Sequence, residues 1–147
     1  MTTIAWDGKQ LAADRRVVSG NTLCVPETKI KQVNLVGHGH CIAVGAGHCG
    51  TVTRLIKCLE NGDPITKDTE DENGILVVFD NQSITIYSDG HKYDHPLSEP
   101  HAWGTGADIA RGALLAGADA QRAVEIASKV DIYTGDGVDT RNLSCMQ

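Results

Sequence analysis

Thr3-Ile4-Ala5-Trp6-Asp7-Gly8-Lys9-Gln10-Leu11-Ala12-Ala13 is the stretch on which the fold class turns. Two short apolar runs flank Asp7-Gly8, a pair suited to a tight two-residue turn, so the segment reads as a β-hairpin. The same grammar recurs downstream. Asn34 to Val36 and Cys41 to Val44 are strands around Gly37-His38-Gly39-His40, and Gly45-Ala46-Gly47 ends the second. Ile75 to Phe79 and Ser83 to Tyr87 flank an Asp80-Asn81 turn, and Asp89-Gly90 leads to a further strand near Lys92 and Tyr93. Ala102-Trp103-Gly104 reads as a brief inner strand, and Val138 to Leu143 as a last one.

Helices come in different places. Val52, Leu55, Ile56 and Leu59 make one helical stripe, stopped by Asn61-Gly62-Asp63-Pro64. The acidic stretch Thr66 to Asn73 is expected to be an exposed loop. Ala107 to Ala116 should end at Gly117 as a C-cap residue, and Asp119 should cap a helix running to about Val130. Strands in hairpins and helices in a block indicate α+β, a layered sandwich with two antiparallel sheets between helices.

Composition bounds the function. The chain has 147 residues, enough for one domain spanning 1–147, with no linker or repeat. A net charge of -6 argues against general affinity for nucleic acid. No apolar run is long enough to span a membrane, and the first residues lack a signal-peptide pattern, so a cytoplasmic protein is expected. Five cysteines, an odd number, favour reduced thiols over a disulfide framework. Aromatic residues are only 4% of the chain, so the core must come from Val, Ile, Leu and Ala.

Several positions could carry chemistry. Removal of Met1 would leave Thr2 with a hydroxyl and a free α-amine on one residue, although a Met-Thr start alone is common. An α-amine has a pKa near 8 and can act as general base near neutrality. Lys29 could tune that amine and Asp14 could balance Lys29, or both could be ordinary surface charges. Gly45-Ala46-Gly47-His48-Cys49-Gly50, between strand and helix, suits an oxyanion hole or is a simple turn. Gly104-Thr105-Gly106 and Asp131-Ile132-Tyr133-Thr134-Gly135 add hydroxyls and a carboxylate able to orient an amine.

Taken together, these pieces resemble the proteasome β-type subunits of the N-terminal nucleophile (Ntn) hydrolases, particularly the bacterial HslV-like peptidases. Thr2-Thr3-Ile4 resembles the mature family N-terminus, and Ala13-Asp14-Arg15-Arg16 its Asp-x-Arg segment. Lys29 follows Asp14 at one residue less than the usual family interval, and Ala46-Gly47 stands at the oxyanion glycine. Gly104-Thr105-Gly106 resembles a Gly-Ser-Gly, and Asp131 to Gly135 an Asp-x-Tyr-Ser-Gly, each with Thr for Ser. The order holds along nearly the whole chain.

The resemblance implies a four-layer αββα sandwich and threonine peptidase activity. Thr2 would be the nucleophile, Lys29 and Asp14 its tuning pair, and Gly47 the oxyanion donor. Thr105, Asp131 and Thr134 would position the amine. It also implies a homo-oligomeric ring acting on peptides or unfolded proteins, often fed by an ATP-dependent unfoldase, with no cofactor and no metal. Rival readings are a non-catalytic assembly subunit, an amidase for a small amide, and a zinc site built from His38, His40, Cys41, His48 and Cys49.

Overall fold

A computed structural model describes residues 2–65, 74–88 and 90–143. In chain order the strands and helices are β1 (Thr3–Trp6), β2 (Gln10–Asp14), β3 (Val18–Ser19), β4 (Thr22–Leu23), β5 (Ile30–Leu35), β6 (Gly39–Gly47) and α1 (Cys49–Asn61). Then come β7 (Gly74–Phe79), β8 (Ile84–Ser88), β9 (His91–His95), β10 (His101–Gly104), α2 (Ala107–Leu115), α3 (Ala120–Ser128) and β11 (Val138–Asn142). The chain divides into two compact units, one from residues 2–29 and 98–143, the other from residues 30–97.

The first unit is built on an antiparallel sheet in the order β10-β1-β2-β11. Asp7 makes the β1–β2 turn, its Oδ1 accepting from the N–H groups of Lys9 (2.9 Å) and Gln10 (2.8 Å). Ala5 pairs with Ala12 on one side and Ala102 on the other, so alternation places all three on one sheet face. These methyls pack with Ala110 of α2 and with Ala120, Ala123, Val124 and Ala127 of α3. With so little side chain between them, sheet and helices approach closely. On the opposite face, Ile4, Trp6, Leu11 and Ala13 are buried as well.

Caps fix the helix ends. Gly117 has φ of 103°, and its N–H reaches Leu114 O while the Ala118 N–H reaches Ala113 O, the paired closure of a Schellman motif. Asp119 accepts from the Arg122 N–H at 2.8 Å and starts α3. The expected C-terminal glycine and N-terminal aspartate thus act where the sequence placed them, though α3 ends at Ser128, short of Val130.

In the second unit the antiparallel order is β5-β6-β7-β8-β9. Both strands of its first hairpin are longer than the apolar runs alone suggest: β5 begins at Ile30 and β6 at Gly39. Polar Lys31 and Gln32, both exposed, belong to β5 through pairing with Ala43 and Ile42 of β6. Val36, expected in the strand, instead lies in the turn and is exposed. Helix α1 lays Leu55, Ile56 and Leu59 over Leu35, Cys41, Ala43, Leu76, Val78 and Tyr87. Gly45 permits this approach, since a Cβ there would collide with the Val52 side chain. Gly62, at φ of 74°, closes α1 with its N–H region directed to Cys58 O.

The fold is therefore mixed α and β, with antiparallel sheets and three helices among the described residues. The short ribbon β3–β4 is an element that the apolar pattern did not reveal, because its residues are largely exposed. The stretch Thr66 to Asn73, expected as a loop, lies outside the described residues. No described helix is long and apolar enough to cross a membrane.

Candidate active site

Thr2 immediately precedes β1, the strand at the centre of the first unit's sheet with β10 and β2 on either side. Its Oγ1 accepts a hydrogen bond from Lys29 Nζ at 2.5 Å. The same ammonium donates to Asp14 Oδ1 at 2.9 Å. Asp14 ends β2, which pairs antiparallel with β1, so its carboxylate lies at the start of β1 and holds Lys29, the last residue of the first unit's opening segment.

Asp14 is fully buried, yet each oxygen is doubly satisfied. Oδ1 accepts from Lys29 Nζ and from the Thr3 N–H at 3.1 Å. Oδ2 accepts from the N–H groups of Arg16 (3.2 Å) and Gly135 (3.0 Å). A buried carboxylate requires such partners, and these four fix its orientation toward the cation.

A second network holds the Thr2 nitrogen. The Thr2 N–H donates to Thr105 Oγ1 at 3.3 Å. Thr105 and Thr134 each donate from Oγ1 to Asp131 Oδ2 at 2.6 Å, and the Tyr133 N–H reaches Oδ1 at 3.2 Å. An ionised carboxylate only accepts, so both threonine hydroxyls must direct their protons to Asp131. Thr134 Oγ1 then has to accept from Thr3 Oγ1, which lies 2.7 Å away. Burial pushes the Asp131 carboxyl upward, but the Thr105, Thr134 and Tyr133 hydrogen bonds outweigh it and hold the pKa below its ordinary value.

The flanking glycines are required by close approach. Gly104 has φ of 101°, and a Cβ there would strike the Thr2 carbonyl. A Cβ at Gly106 would strike Thr3 Oγ1 and come within 3.3 Å of Asp131 Oδ2. Thr105 is thereby held between two positions that admit no side chain.

Of the residues singled out in the sequence, Thr2, Asp14, Lys29, Thr105, Asp131 and Thr134 are joined in these networks. Gly47 ends β6 in the second unit, with φ of 97°. Sequence reasoning missed Thr3 and the Gly135 N–H. The hydroxyl of Thr3 could have been suspected from its neighbour, but a backbone N–H leaves no mark in a sequence.

The residues of the zinc reading are placed differently. Both ring nitrogens of His38 are engaged, Nδ1 with Asp80 Oδ2 at 2.9 Å and Nε2 with Tyr87 Oη at 2.8 Å. Burial pushes the Cys41 thiol up to about 11, which makes it a poor source of thiolate. Among the described residues, no group of three or more His, Cys, Asp or Glu is arranged to hold a metal ion. Cys24, Cys41, Cys49 and Cys58 are free thiols.

Compared with known proteins, the chain shares its fold with HslV-like structures. Eukaryotic HslV from Trypanosoma brucei matches with a TM-score of 0.73 and 18% identity, over 95% of this chain and 97% of that one. BPH of Thiobacillus denitrificans, solved in complex with epoxomicin, matches at 0.69 and 18% identity, over 97% and 98% of the two chains. A Gly-1 mutant of Anbu from Hyphomicrobium sp. strain MC1 matches at 0.68 and 12% identity, over 95% and 80%. No protein-family model and no curated protein sequence matches. The resemblance read from the motifs thus stands at the level of the fold.

Proposed function

We propose that this chain is a threonine-type endopeptidase of the Ntn class, with Thr2 as nucleophile once Met1 has been removed. The observation that carries the reading is the Lys29 ammonium, shared between Thr2 Oγ1 and the buried Asp14 carboxylate. A cation at that oxygen lowers the cost of developing alkoxide, and Asp14 keeps the cation in place.

In the proposed reaction Thr2 Oγ1 attacks a peptide carbonyl carbon while the Thr2 amine takes the hydroxyl proton, directly or through a water. The Gly47 N–H would bind the resulting oxyanion. Return of the proton to the leaving amine breaks the C–N bond and leaves an ester on Thr2, which water then hydrolyses. Thr105, Asp131 and Thr134 hold the amine facing the nucleophile. The reading includes a single domain over 1–147 with four-layer αββα architecture, a cytoplasmic homo-oligomeric ring, peptides or unfolded proteins as substrates, and an ATP-dependent unfoldase as feeder.

Intact mass before and after treatment with a peptidyl epoxyketone tests the chemistry. The mature chain should lack Met1 and gain one adduct at Thr2, and Thr2→Ala should gain none while remaining folded. Retention of Met1, or failure of the mature chain to label, would defeat the assignment. Native mass tests the ring.

A further inference from the structure

We propose that Arg16 is a positioning residue for the Thr2 amine, acting through the turn at residues 131–136; this rests on the peptidase reading above. Arg16 is part of the Asp14-Arg15-Arg16 run but touches neither Thr2 nor Lys29 in the networks just described. Its guanidinium instead grips the turn at two places. Nε donates to Asp136 Oδ2 at 3.1 Å and Nη2 to Asp136 Oδ1 at 3.4 Å, a side-on fork. Nη1 donates to Ile132 O at 2.8 Å.

Between those two grips lie the groups that face the site. Thr134 donates to Asp131, and the Gly135 N–H donates to Asp14. The guanidinium also lies against Gly135, where a Cβ would come within 2.8 Å of Arg16 Cζ. At its other end, the Arg16 N–H binds the same Asp14 oxygen that Gly135 binds. One residue thus ties the turn carrying Asp131 to the carboxylate that holds Lys29. Asp136 has φ of 63°, in the left-handed region that a non-glycine residue rarely adopts. The fork onto Arg16 gives that conformation a purpose, since it turns the carboxylate toward the guanidinium.

An ordinary exposed ion pair contributes little to stability, and this one is only partly covered. Its consequence is geometric. Small misplacement of a catalytic group lowers a rate far more than it lowers stability. Lysine cannot replace the fork, because it offers a point charge in place of a planar array of donors.

The test follows epoxyketone labelling of Thr2 over time in the wild-type protein and in Arg16→Lys, Arg16→Ala and Asp136→Asn. Asn tolerates the left-handed conformation, so Asp136→Asn removes half the grip with least risk to folding. Both Arg16 variants should lose about tenfold in the limiting labelling rate, with half-saturating reagent concentration within about twofold of wild type. Asp136→Asn should lose about threefold, as a partial loss of the same positioning. A merely structural role would reduce the fraction of chains that label without slowing the competent ones. Equal rates in wild type and variants, or a loss confined to that fraction, would overturn the role of Arg16 and leave the peptidase reading intact. A wild-type protein that lacks Met1 and still fails to label would end both. If Arg16→Ala does not fold, the rates of Arg16→Lys and Asp136→Asn decide.

Discussion

Replacing Asp14 by asparagine probes the buried carboxylate with almost no change in volume. Each Asp14 oxygen faces two donors: Thr3 N–H and Lys29 Nζ on one side, Arg16 N–H and Gly135 N–H on the other. An asparagine offers one oxygen and one NH2, so one pair of donors must meet another donor. Flipping the amide only transfers the conflict to the other pair. At about 1–3 kcal/mol for each buried donor left unsatisfied, two orphans cost about 2–6 kcal/mol. With a urea dependence of about 2 kcal/mol per molar, the unfolding midpoint should drop by about 1–3 M. Equilibrium urea unfolding, followed by circular dichroism, measures this. Asp108→Asn, on the exposed face of α2, is the control and should stay within about 0.5 kcal/mol of wild type. If Asp14→Asn also stays within about 1 kcal/mol, the four-donor account of this carboxylate is wrong.

Other outcomes can be checked in the same way. Burial opposes the charge on Asp80, but hydrogen bonds from His38 and from the N–H groups of Gln82 and Ser83 outweigh it and lower its pKa. A depressed carboxyl contributes stability above its unfolded pKa and loses it as pH falls through the folded value. The stability difference between wild type and Asp80→Asn should therefore be full near pH 6 and shrink below about pH 4; a difference independent of pH would contradict it. Gly45→Ala should destabilise by about 1–3 kcal/mol through collision with Val52, and pairing it with Val52→Ala should recover part of that loss. Additive losses in a thermal double-mutant cycle would mean that the two do not touch. Gly106→Ala should destabilise by crowding Thr3 and Asp131, whereas Gly112→Ala, with open space around it in α2, should stabilise by about 0.5–1 kcal/mol. Denaturation midpoints that move in the same direction would refute the contrast.

The hairpins were legible because Asp7-Gly8 and Asp80-Asn81 punctuate the apolar runs, although each turn is centred one residue later than read, with the Asp7 N–H closing on Gln10 O and the Asp80 N–H on Ser83 O. The helix ends were legible at Gly62, Gly117 and Asp119, where capping has a residue preference. Ordered motifs brought all seven candidate site residues to notice, and six of them, all but Gly47, share the networks around Thr2. What sequence could not carry was partnership through the backbone. The Gly135 N–H on Asp14 depends on a turn folding back to β2, a contact 121 residues apart in the chain. The direction of the hydroxyl protons was equally hidden, because it follows from three threonines converging around Asp131, with no signature in any one of them. The extent of β5 escaped for a different reason. A strand with exposed polar residues shows too few apolar positions to reveal its period.

The alanine seam beneath α2 and α3 makes evolutionary change in this chain lopsided. Ala5, Ala12 and Ala102 face Ala110, Ala120, Ala123 and Ala127, so there is almost nothing left there to trim. Substitution can move mainly toward greater bulk, and every added carbon would wedge a helix outward. The start of α2 follows Gly104-Thr105-Gly106 and the end of α3 leads to Asp131, so such a wedge would displace the groups bonded to the Thr2 nitrogen and to one another along with the helix. Drift should therefore be slowest at the plainest residues, those with no chemistry of their own.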